Sequence, residues 1–145
     1  MWAIEGIVAG ILGGIFMVIL SGIGHRLGIL RSNLMLIDGS FVARLLNRMD
    51  NRLGIYVLGA LVHLGTSAIF GIVYVTIAQL IGFDTRLVPA LVPYVLSLWL
   101  AMLFVALPIA GQGILGNRLG RWAWAEQLLL HVVFGIVFWW GLGVI

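Results

Sequence analysis

His63 and His131 are the residues in this sequence whose chemistry is hardest to account for by packing alone. Each stands inside a long apolar run, and ionisable side chains at membrane depth are rare and usually face a partner, a cavity or a cofactor. His63 lies 11 residues beyond Arg52 and His131 lies 10 beyond Arg121, which at helical rise gives depths of roughly 15–17 Å for both. Two level imidazoles on parallel helices suit axial ligation of a b-type haem, and two hydrogen-bonded packing histidines would look the same. Both readings stand. Gly59 and Ser67 flank His63 four residues to either side, and Gly135 lies four beyond His131, leaving room for a haem beside the ligands. Gln127, one turn before His131, is placed to hold the free ring nitrogen of that histidine, and Thr66 or Ser67 to do so for His63.

Other chemistry is thinly represented. Zero cysteines exclude thiolate metal sites, iron–sulfur clusters and cysteine nucleophiles. Two neutral histidines fall short of the three or four ligands that Zn, Fe or Cu usually take, so no metal is expected beyond a haem iron. Glu126 lies some 7–8 Å shallower than His131 by helical rise and is expected to pair with Arg121 or Arg118, while His25 beside Arg26 reads as an interfacial side chain. There is no phosphate loop, no Ser/His/Asp set and no pair of carboxylates for acid–base work. No catalytic residue is expected, and the chain is not read as an enzyme. No nucleic-acid motif is present.

The elements that must position the histidines follow from composition. The chain has 145 residues, 63% hydrophobic and 9% charged, against roughly 45–50% and about 25% in soluble domains. Too few charges exist to cover a solvated surface, so lipid is the expected solvent and a soluble enzyme is excluded. Gly6 to Gly24, Leu53 to Phe83, Leu87 to Ala110 and Trp122 to Ile145 are each long enough to cross about 30 Å of hydrocarbon. The expected fold is all-α: an integral membrane four-helix bundle in a single transmembrane domain, with spans near 3–24, 53–83, 87–110 and 122–145. The first span carries Glu5 and no preceding arginine, which does not read as a cleaved signal peptide.

Seven of the eight arginines fall in segments 25–52 and 111–121, and only Arg86 falls on the opposite side. The positive-inside rule makes the first side cytoplasmic and both termini outside; the expected location is the inner membrane of a prokaryote. Tryptophans near the span ends suit the headgroup zone, with Trp139 and Trp140 marking the outer end of the last span. The pI near 10.2 points to anionic headgroups. Segment 25–52 is too apolar for a plain loop. After Asp38-Gly39-Ser40, a helix-start signal, Val42, Leu45, Leu46 and Met49 recur at helical spacing, which predicts a short cytoplasmic interfacial helix between the first two spans. Arg44, Arg48 and Arg52 are spaced by four on another side of it, suited to lipid phosphates.

Gly6, Gly10 and Gly14 form a row that presses the first helix against a neighbour, whether in this chain or another subunit. Ser97 and Ala101 offer the same spacing in the third span, where Pro93 and Pro108 interrupt the hydrogen-bond ladder. Asn51-Arg52-Leu53-Gly54 recurs as Asn117-Arg118-Leu119-Gly120, suggesting two hairpins related by a pseudo-twofold axis that would make the histidines counterparts.

Leu61-Val62-His63 and Phe70-Gly71-Ile72-Val73-Tyr74, Trp99-Leu100-Ala101-Met102 with Leu107-Pro108 and Gly111, and Leu130-His131-Val132-Val133-Phe134-Gly135 together resemble a family of small bacterial and archaeal four-helix membrane proteins, YagU-like in style and without a secure activity. The resemblance implies four spans and a pair of membrane histidines. The chain departs from it in segment 25–52, where a Pro- and Met-rich stretch would be expected. With little mass outside the membrane, the expected function is a non-catalytic integral subunit of a larger respiratory, oxidising or other energy-converting complex, with lipid and other membrane subunits as partners. The alternative is a bis-histidine haem b electron carrier, and a small transporter comes last for want of intramembrane charge.

Overall fold

A computed structural model describes residues 1–47 and 51–144. Its described residues form five helices: α1 (Trp2–Arg26), α2 (Leu34–Leu45), α3 (Arg52–Ile81), α4 (Val88–Ile109) and α5 (Ala123–Gly141). All but α2 are long and apolar enough to cross a membrane. Arg48 and Met49 lie outside the described residues.

The glycine row finds its neighbour within this chain. A β-carbon at Gly6 would lie 3.0 Å from the Gly71 carbonyl carbon, one at Gly10 3.1 Å from that of Ser67, and one at Gly14 2.8 Å from Ser67 Cβ. Only glycine lets α1 and α3 approach this closely, which is how helices associate where burial from water gives no drive. On its other side α1 meets α5, with Gly13 against the Phe134 ring and Ala9 against Gly141. The core runs between them through Met17, Tyr74, Leu130, Phe134 and Phe138.

The segment before α3 differs from expectation in three ways. Its helix starts at Leu34 under an Asn33 cap, whose side chain accepts from Leu36 N, so Asp38-Gly39-Ser40 lies inside the helix. Ser21 of α1 braces the same start, accepting from Leu34 N at 2.9 Å and donating to Ser32 O at 3.1 Å. Second, the buried face is Leu34, Ile37, Asp38 and Ala43, while Leu45 and Leu46 are 60% and 64% exposed. Gly39 sits on Ile55 and Gly59 on Met35, so α2 runs antiparallel along α3 in close backbone contact. Third, Arg44 and Arg52 share no helix face: α2 ends at Leu45, Asn47 turns left-handed at φ 52°, and Arg52 opens α3 under an Asn51 cap. Arg44 is exposed and its guanidinium lies against Gly111.

The four-residue repeat also diverges. Asn51 accepts from Gly54 N at 2.7 Å and starts α3, whereas Asn117 to Gly120 belong to an irregular turn and α5 begins at Ala123. In α4, Met102–Ala106 widens to π-helical bonding, with Leu107 N donating to Met102 O. Pro108 explains it: the ring lacks an N–H and crowds the carbonyl four residues earlier, so the ladder slips by one before it. Tyr94 OH donates to Phe70 O at 2.6 Å, tying α4 to α3, and Trp139 Nε1 donates to Arg86 O at 3.1 Å. The Arg86 guanidinium stacks 4.4 Å above the Trp139 ring.

Candidate functional site

Asp38 and His63 meet because of the antiparallel contact of α2 and α3. Side chains lean toward the N-terminus of their own helix, and in an antiparallel pair those leanings converge. The result is a buried pair, with His63 Nδ1 donating to Asp38 Oδ2 at 2.7 Å. A β-carbon at Gly14, the midpoint of α1, would lie 3.6 Å from His63 Cδ2, so the pair sits at mid-height of the bundle. It is the one carboxylate–imidazole contact among the described residues. Removing one member of such a pair strands the other and costs on the order of 3–5 kcal/mol.

His131 is held differently. Its Nδ1 donates to the backbone carbonyl of Gln127 at 2.8 Å. A carbonyl and an ionised carboxylate only accept, so each imidazole in its neutral form carries the proton on Nδ1 and leaves Nε2 with a lone pair. His63 Nε2 is buried and has no hydrogen-bond partner. Both rings line a cavity of about 260 Å³ together with Asp38, Met17, Met102 and three phenylalanines, Phe41, Phe70 and Phe134. Its polar atoms lie deep, whereas Phe70, Ala101 and Val105 at its edge are exposed. The mouth therefore opens on the flank of the bundle, between α3 and α4.

The helpers expected from sequence are elsewhere. Asp38, not Thr66 or Ser67, holds His63: Thr66 Oγ1 donates back to Val62 O and His63 O of its own helix, and Ser67 Oγ is turned against Gly14. The Gln127 carbonyl, not its side chain, holds His131; the Gln127 amide is fully buried with both polar atoms unpartnered. The room foreseen for a haem is occupied, because Gly59 is covered by Met35, Ser67 by Gly14, and Gly135 by Val95. The cavity is also smaller than the roughly 300–1,000 Å³ of sites that enclose drug-sized molecules. Glu126 pairs with neither Arg118 nor Arg121; its Oε2 accepts from the backbone of Arg31 at 3.1 Å and Ser32 at 2.9 Å. No group of three or more His, Cys, Asp or Glu among the described residues could hold a metal.

No family model, curated protein or solved structure matches the chain. Sequence reasoning missed Asp38, although one signal was present: a lone carboxylate within the apolar run from Leu34 to Val42. Its neighbours Gly39 and Ser40 give the triplet the composition of a turn, and that composition masked a buried acid.

Proposed function

We propose that this chain is a non-catalytic integral subunit of an energy-converting membrane complex that holds a ligand at mid-membrane between His63 and His131. The observation behind the reading is the buried, unpartnered Nε2 of His63 on a cavity wall shared with His131. A buried acceptor left unmade costs about 1–3 kcal/mol, which a ligand would recover. The carboxylate behind His63 is the arrangement that fixes a tautomer for binding. Arginine placement supports both termini outside, and the apolar strings quoted above support kinship with the YagU-like proteins and, with it, a prokaryotic inner membrane. The glycine row, consumed between α1 and α3, no longer argues for a partner. That part of the proposal rests on how few of these 145 residues lie outside the four apolar helices.

The test is purification in mild detergent from a membrane-rich host. The reduced-minus-oxidised spectrum reports any haem b, mass spectrometry of an organic extract reports other ligands, and gentle crosslinking reports a partner. A ligand present in wild type and absent from His63→Ala and His131→Ala supports the reading; identical extracts from all three overturn it. A chain that runs alone, without crosslinks, removes the subunit role.

A second reading gains from Asp38. Carriers show intramembrane charge and irregular helices near a midplane site, and a buried carboxylate and the widened turn of α4 supply both. Solute flux into proteoliposomes that stops in Asp38→Asn would favour a transporter over a subunit.

A further inference from the structure

We propose that the cavity binds a lipid-soluble aromatic alcohol, a hydroquinone by chemical class, whose ring hydroxyl donates to His63 Nε2. This rests on reading the His63–His131 cavity as a ligand site. It adds the ligand's polarity, shape and route.

Polarity follows from the tautomers. With Nδ1 of each ring committed to an acceptor, the neutral imidazoles face a ligand as acceptors. Asp38 can only accept as well. Thr66 gives its hydrogen to its own helix, and the Ser67 hydroxyl is turned toward α1. A ligand headed by a carbonyl meets lone pairs with its own lone pairs. A ligand headed by a hydroxyl brings the hydrogen that His63 Nε2 lacks. A site built for a hydroxyl discriminates strongly against the analogue without one, because the buried partner is then left unpaired.

Shape follows from the walls. Phe41, Phe70 and Phe134 offer faces and edges to an aromatic ring, and Met17 and Met102 are unbranched thioethers that move aside readily. Met102 opens the π-turn, which carries Val105 and Ala106 onto the same wall. A volume of about 260 Å³ suits a single substituted ring whose tail stays outside. The route follows from the mouth. Phe70, Ala101 and Val105 at its edge are apolar and exposed on the flank that faces lipid, which admits a membrane-dissolved molecule and offers an ion or polar metabolite no hydrated path.

The experiment places the full chain in phosphatidylcholine nanodiscs and measures retention of a decyl-substituted trimethylhydroquinone beyond that of empty nanodiscs. The dimethyl ether of the same compound and the matching quinone serve as comparisons. The hydroquinone is expected to bind about tenfold or more tightly than either, the worth of roughly one net hydrogen bond, and His63→Ala is expected to erase the preference. The wild-type comparison needs no variant, so misfolding of His63→Ala leaves the test intact. Equal retention of hydroquinone and ether, tighter quinone binding, or no excess over empty nanodiscs overturns the proposal. A histidine-dependent haem or other ligand found without hydroquinone binding overturns this inference alone; a chain with no histidine-dependent ligand overturns the proposed function as well.

Discussion

Gly59→Ala tests whether backbone contact between α2 and α3 is what brings Asp38 to His63. A β-carbon at Gly59 would lie 2.7 Å from the Met35 carbonyl carbon and 2.9 Å from Met35 Cα, where ordinary contact begins at 3.4 Å. The obstacle is backbone, and the Met35 carbonyl oxygen lies nearer still, so α2 as a whole must retreat by well over about 0.7 Å. That retreat carries Asp38 with it and stretches the 2.7 Å bond to His63 beyond about 3.4 Å, where a hydrogen bond is weak or lost. Loss of a bond to a charged group costs about 1.5–3 kcal/mol, and overpacking adds roughly 1–3 kcal/mol. The combined destabilisation is of order 3–5 kcal/mol, read as an earlier midpoint in denaturing-detergent titration of the purified protein. Gly65→Ala is the control: nothing lies within 4 Å of a β-carbon there, and alanine favours a helix interior by up to about 1 kcal/mol. Equal midpoints for the two variants would refute the argument that close approach positions the site.

Gly10→Ala should separate α1 from α3 at the Ser67 backbone and lower the same midpoint by about 1–3 kcal/mol, whereas Gly22→Ala, with open space around it, should not; a reversed order would show that the glycine row does not set the interface. Ser21→Ala removes a hydroxyl that accepts from Leu34 N and donates to Ser32 O, leaving two buried backbone groups unmade at about 1–3 kcal/mol, and faster hydrogen exchange at Leu34 is the check. Unchanged exchange would mean that the start of α2 is held by Asn33 alone.

The four spans were legible because lipid imposes a coarse rule: a helix that must cross needs about 20 apolar residues, and the chain supplies four such runs. The glycine spacing was equally readable as a contact, though not its recipient, since a repeat of four states that something approaches and not what. The histidine pair was legible from depth counting, and both rings line one cavity. What sequence could not give was the tertiary assignment of each polar group. Gln127 was expected to use its side chain and instead offers its carbonyl, a group every residue has. Asp38 and Glu126 were assigned by their neighbours in sequence; in the fold Asp38 meets a residue 25 positions away and Glu126 meets backbone 94 and 95 positions away. The spacing of Arg44 and Arg52 assumed one uninterrupted helix, but Asn47 at positive φ and the Asn51 cap place them on two.

For the ligand proposed above, the gap between α3 and α4 changes how occupancy should be reckoned. A chamber whose door stands in the acyl-chain layer equilibrates with what is dissolved there, so loading depends on moles of compound per mole of lipid and hardly on the amount per litre of buffer. Affinities quoted in aqueous units would drift with the quantity of bilayer in the tube, and a poorly water-soluble compound could saturate the protein while its measured free concentration stayed close to zero.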